Sequence, residues 1–223
     1  MRWLMPISLI VLALLMSCNT AKDDFTISGL GVNFAPYDPN TGRAGDFIFT
    51  KSPYPYKVFW EFGVQVNSPD GVKELPTFEY LVDPNANVMA ITEGKVVWMQ
   101  YQEESHDWEI GMYSKHDPEI YIAYDHINSP TIMKGEKVVS GQILGKPGNW
   151  DPPYGRFEIM LNKDVTGLSY CPFVFFDPAL KMEYEQKVSQ LMSDWETYKC
   201  DEDIYDEASQ FCPGCRYETM KTY

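Results

Sequence analysis

The sequence predicts a mostly β fold, a barrel or sandwich, followed by one amphipathic helix near the C-terminus. Three features predict it. From Phe78 onward, short apolar runs alternate with turns rich in Gly, Asn, Asp and Pro, at 88–90, 94–101, 107–113, 119–126, 137–139, 143–144 and 156–161. Many short strands at such spacing are the pattern of all-β barrels and sandwiches. Within the last run, Phe157, Ile159 and Leu161 alternate with Arg156, Glu158 and Met160. Side chains alternate across a strand, so one face is apolar and the other carries two ionisable groups two residues apart. Finally, Tyr184, Val188, Leu191, Trp195 and Tyr198 recur at helical spacing, which predicts a helix over about 178–199 with a core-facing stripe.

The chain has 223 residues, with 44% hydrophobic and 15% aromatic content, enough for a packed core. Its N-terminus reads as a targeting signal. Arg2 precedes an uncharged apolar run, too short to span a membrane, that stops at Leu15-Met16-Ser17-Cys18. That ending is similar to the bacterial lipobox, in which the Cys is lipidated; an ordinary signal peptide ending beside a chance Cys is the alternative. We expect residues 1–17 to be a lipoprotein signal peptide, Cys18 to carry the lipid, and the protein to be exported to the bacterial cell envelope. Residues 18–74 form a tether and a β extension, 75–165 the main β domain, and 166–223 the helix with a Cys-bearing tail. The formal net charge of -14 disfavours nucleic acid and anionic membrane surfaces as partners.

In the β extension, Pro36, Pro39, Gly42 and Gly45 punctuate a polar stretch, and Ser68-Pro69-Asp70-Gly71 supplies a turn after a β-rich run. In the main domain, Lys115-His116-Asp117-Pro118 supplies a hairpin turn. Regular pairing centred near His116 sets His106 opposite His126. Near the C-terminus, Asp201-Glu202-Asp203 reads as a solvated acidic surface, and its spacing fits no EF-hand loop. Cys171, Cys200, Cys212 and Cys215 are an even set in an exported chain, for which two disulfides are the expectation. The Cys212-Pro213-Gly214-Cys215 spacing leaves open a loop bridge, a redox pair or half a zinc site, and structural stapling of the tail is the favoured reading.

Four segments, taken in order, resemble the LytM/lysostaphin-type zinc endopeptidases of peptidoglycan. They are Val88-Met89-Ala90 with Gly94 and Val96, Tyr124-Asp125-His126-Ile127, the Gly and Val skeleton from Val138 through Gly141 to Gly145, and Arg156-Phe157-Glu158. The resemblance covers about residues 75–162 and implies a barrel-sandwich hybrid with a groove across an antiparallel sheet. The same skeleton occurs in lipoyl and biotinyl carrier domains, but Lys115 lacks their setting. In the family, zinc is held by a His, an Asp four residues later and a second His, leaving a position for water. By resemblance these ligand positions fall on Leu75, Glu79 and Arg156, and Tyr154 stands where the family has another His. His126 is the one family histidine kept.

The resemblance therefore implies a member without the family's zinc ligands, with Glu79 and Arg156 paired in place of the metal and Glu158 supporting its neighbours. It implies a non-catalytic envelope lipoprotein, a pseudoenzyme without cofactor, whose groove binds peptidoglycan or an envelope protein. The alternative is a metal-dependent peptidoglycan endopeptidase with an altered ligand set drawn from His106, His126 and nearby carboxylates, with zinc as cofactor and His126 catalytic.

Overall fold

A computed structural model describes residues 24–68, 71–163 and 166–221. The signal segment and Cys18 lie outside the described residues. The predicted β character holds. Short strands β1 (Tyr37–Asp38), β2 (Arg43–Ala44) and β3 (Phe47–Ile48) make a small antiparallel sheet. Then come β4 (Phe59–Trp60), the hairpin of β5 (Gln65–Ser68) and β6 (Gly71–Glu74), β7 (Phe78–Val82) and β8 (Val88–Met89). The main strands are β9 (Gly94–Gln102), β10 (Asp107–Ser114), β11 (Ile120–Asn128), β12 (Lys137–Val138), β13 (Ile143–Asn149) and β14 (Gly155–Lys163). β15 (Leu168–Tyr170), helix α1 (Lys181–Lys199) and β16 (Thr219–Lys221) complete the chain.

β14 is the hub. Along one edge it pairs with β11 and β13, and along the other with β7 and β15, antiparallel throughout. Its alternation explains this position. Phe157, Ile159 and Leu161 are buried, while Arg156, Glu158 and Met160 stay partly exposed. The inward row is aromatic: Phe157 stacks on Tyr80 with ring centroids 4.5 Å apart, and Tyr80 contacts Phe59 at 5.3 Å. Burying one Phe side chain is worth about 1.5–3 kcal/mol, so this row contributes substantially to stability. The N-terminal extension packs onto the same core, Phe34 meeting Tyr80 edge-on at 6.2 Å and Ile27 being fully buried.

α1 begins at Lys181, three residues after the predicted start, because Asp177 closes a turn with the backbone N–H groups of Leu180 and Lys181 first. Val188, Leu191, Met192 and Trp195 are buried, as the stripe requires, and Trp195 donates its indole N–H to the Tyr56 carbonyl at 2.9 Å.

Two expectations are corrected. The β10–β11 hairpin is centred one residue further along, since Tyr113 pairs with Tyr121 and Ile110 with Tyr124, and a bulge follows between Trp108 and Ile110. His106 therefore does not face His126. The turn is longer than a tight hairpin, with the Ser114 hydroxyl accepting the N–H groups of His116 and Asp117. The second correction concerns cysteines. Among the described residues one disulfide forms, Cys171–Cys215, and Cys200 and Cys212 are free. Cys200 is exposed and caps α1 in the left-handed conformation, at φ 58°.

Candidate functional site

The strand registers build a row of polar side chains across the outer face of the sheet. Trp60 on β4 lies opposite Glu79 on β7, Glu79 opposite Glu158 on β14, and Glu158 opposite Asp125 on β11. Directly opposed residues bring their side chains within interaction distance. Arg156 is two residues before Glu158, so its side chain shares that face.

Arg156 is the centre of the cluster. Its Nη1 lies 3.8 Å from Glu79 Oε1 and its Nη2 3.7 Å from Glu158 Oε1. The same Nη2 contacts His126 Nε2. The guanidinium also lies 4.3 Å from the Trp150 ring centroid, in cation–π geometry. Trp150 is held in turn by its indole N–H, which donates to the Tyr54 hydroxyl at 2.7 Å.

His126 is fixed from behind. Its Nδ1 lies 2.9 Å from Asp107 Oδ2, and Asp107 Oδ1 accepts the Ser105 hydroxyl at 2.6 Å. An Nδ1–H donated to a carboxylate leaves Nε2 as an acceptor for an arginine N–H. Asp107 is 1% exposed, which keeps the imidazole against it. The β13 backbone closes over this pair. A Cβ on Gly148 would stand 2.6 Å from Asp107 Oδ2, so glycine is what permits the approach. His126 itself has φ 57°, beside the bulge in the β10–β11 pairing. That left-handed turn re-aims the ring toward β14.

The electrostatics follow from burial. Glu158 is pushed up to about 8, first by burial and then by the Glu79 carboxylate, with Arg156 opposing. Glu79 is also raised by burial, and Arg156 and His126 hold it back. Glu109, next along β10, is pushed up to about 7 by burial and by Asp125. Near neutral pH Glu158 is thus largely protonated, and the guanidinium of Arg156 favours the charged form of Glu79 against its burial.

Beside this cluster opens a cavity of about 1010 Å³. Glu79, Arg156, Glu158 and Trp150 line one part of it, and Trp60, Lys57, Ile204 and Arg216 another. Among the described residues, two groups bring potential metal donors together: Asp107, Asp125 and His126, with ligating atoms within 4.8 Å of one another, and Cys171, Cys212 and Cys215.

Of the residues singled out from sequence, Glu79, His126, Arg156 and Glu158 come together. Tyr154 does not join them: it is 4% exposed, and its hydroxyl donates to the Ile48 carbonyl at 3.1 Å. His106 lies in the β9–β10 turn, its Nδ1 3.5 Å from the Tyr101 hydroxyl. Trp150 and Arg216 were missed. Trp150 precedes a Pro-Pro turn and carried no periodic signal, and Arg216 is in an irregular tail.

No family model and no curated protein matches the chain. Solved structures do. Over 52% of this chain and 88% of that one, it is similar to the catalytic domain of lysostaphin from Staphylococcus simulans, at 19% identity and a TM-score of 0.43. The solution structure of lysostaphin aligns over 48% of this chain at 18% identity and a TM-score of 0.38, and the match spans 44% of that chain. Csd3 from Helicobacter pylori aligns over 74% of this chain and 44% of its own, at 13% identity and a TM-score of 0.43. A LytM protein from Ruminococcus gnavus also aligns, over 38% of each chain at 20% identity and a TM-score of 0.32.

Proposed function

We propose that this chain is a non-catalytic, LytM-like envelope lipoprotein that uses its groove to bind peptidoglycan, with an envelope protein as the other candidate partner. The observation that carries the reading is the placement of Arg156. Its guanidinium touches His126, Glu79 and Glu158 at once and is backed by Trp150. The ligand positions implied by the sequence resemblance carry Leu75, Glu79 and Arg156. Leu75 offers no donor atom and is buried, and a guanidinium cannot ligate and repels a divalent cation. This set does not fit zinc. A permanent cation instead neutralises the carboxylate that a metal would otherwise balance. The chain's own residues then form a shaped groove with aromatic walls, suited to an extended peptide rather than to bond cleavage. The lipid on Cys18 would hold that groove at a membrane facing the wall.

The second reading, a hydrolase with an altered metal set, is favoured by one observation: the closeness of Asp107, Asp125 and His126. Two carboxylates and one imidazole can hold a divalent ion. One experiment separates the readings. Purified protein is sedimented with isolated peptidoglycan, with and without a chelator, and the supernatant is assayed for released muropeptides. Co-sedimentation without release supports the binding reading; zinc-dependent release, lost in His126→Ala, supports the hydrolase.

A further inference from the structure

We infer that the groove holds a peptide carboxylate through Arg216; this rests on the peptide-binding reading of the same groove. Arg216 comes from the C-terminal tail, one residue after the disulfide at Cys215. Its backbone is pinned: its N–H donates to the Phe62 carbonyl at 2.9 Å, and the Phe62 N–H donates to the Gly214 carbonyl at 3.0 Å. The guanidinium is thus carried on a fixed support at the cavity wall.

The side chain is uncompensated. Its Nε is buried and has no hydrogen-bond partner, and among the described residues no carboxylate lies within 4.0 Å of its guanidinium. The acid that could have served is already used. Both oxygens of fully buried Glu61 accept from Lys57 Nζ, at 2.9 and 2.8 Å. Lys57 lines the same cavity, and burial, with Arg216 adding repulsion, lowers its pKa against the pull of Glu61. Lys57 and Arg216 thus both line this wall, and the nearest acid, Glu61, is taken up by Lys57. Asp203 also lines the cavity, but it is exposed.

The Arg216 side chain is partly exposed at this wall, and a ligand anion that reaches its outer nitrogens would gain a charge-assisted hydrogen bond. Its two Nη groups form a planar fork that matches the two oxygens of a carboxylate. The rest of the wall selects the kind of carboxylate. Trp60, Val64, Leu75 and Ile204 give it apolar and aromatic contacts, and about 1010 Å³ is room for several residues of peptide. The ligand is therefore a peptide end: a terminal carboxylate on Arg216, with the preceding residues running toward Arg156 and Trp150.

The test uses the purified chain and two small probes, N-acetylalanine and N-acetylalaninamide, read by thermal shift and by titration. The acid is expected to raise the melting temperature and the amide to leave it unchanged, with at least about tenfold preference for the acid. Arg216→Gln should abolish the preference, and Arg216→Lys should restore part of it. Without ligand, Arg216→Gln should melt no lower than the wild type, because it removes an unpaired buried donor, whereas a merely structural arginine would lower it. Equal response to acid and amide, or preference unchanged in Arg216→Gln, overturns the assignment. Peptidoglycan sedimentation is scored separately. Sedimentation without acid preference defeats Arg216 alone, and acid preference without sedimentation defeats the peptidoglycan reading alone.

Discussion

The two faces of β14 differ in what they do with the same strand. The inner face, Phe157, Ile159 and Leu161, is sealed against Tyr80, Tyr124 and their neighbours. The outer face carries Arg156 and Glu158 into a nearly buried polar cluster. The inner face stabilises the fold by removing apolar surface from water and needs only the right volumes. The outer face gains little net stability from its charges, because desolvation offsets their attraction. A polar cluster of low net benefit, placed beside a large cavity, is better explained by what it binds than by what it holds together.

Four substitutions sharpen or break that contrast. The largest effect is expected inside: Phe157→Ala should cost about 3–5 kcal/mol, seen as a lower denaturant midpoint with an unchanged slope. Arg156→Met comes next. It strips Glu79 and Glu158 of their shared cation, and a loss of about 1–3 kcal/mol is expected near neutral pH. That loss should shrink in acid, as the carboxyls take up protons. A neutral effect at pH 7 would mean that the cluster does not depend on its guanidinium.

Glu158→Gln should act through pH. Because the folded protein holds the Glu158 proton up to about 8 while the unfolded chain releases it near 4.5, the folded state binds more protons between those values. The favourable contribution is therefore fully present below about 4.5 and is lost as pH rises toward 8. The wild type should lose stability over that window at up to about 1.4 kcal/mol per pH unit, and the Gln variant should show a flatter profile. Parallel profiles would place Glu158 in an ordinary solvated setting. The smallest effect is expected far from both faces. Glu93 joins Lys115 and His116 at 2.8 and 2.7 Å at the other end of the hairpin. Glu93→Gln should change stability by no more than about 1 kcal/mol, as for exposed pairs.

The strands and the helix were legible because alternation and helical spacing are written in adjacent residues. The two faces of β14 were readable from Arg156 to Leu161 alone. The motif resemblance placed Glu79 beside Arg156, a register that periodicity cannot supply, and the two lie 3.8 Å apart. What failed was set by local backbone geometry. The His106–His126 pairing assumed a regular hairpin, and a turn centred on Asp117 together with the bulge before Ile110 moved His126 onto Asp107. Tyr154 shared a motif with Arg156 yet turned toward Ile48, because residues two apart before a strand begins need not share a face. The disulfide count failed because even numbers of cysteines state no distances, and Cys200 is used as a helix cap. Arg216 and the Lys57–Glu61 pair lie in irregular chain, where no periodicity points to a shared cavity.

The proposal that Arg156 stands in place of a catalytic metal implies a groove that binds without cutting. The most direct measurement is muropeptide release from isolated peptidoglycan by the purified protein, in chelator and after zinc addition. The protein is expected to sediment with peptidoglycan equally under both conditions and to release nothing. Release that appears with zinc, stops with chelator and is lost in His126→Ala would contradict it.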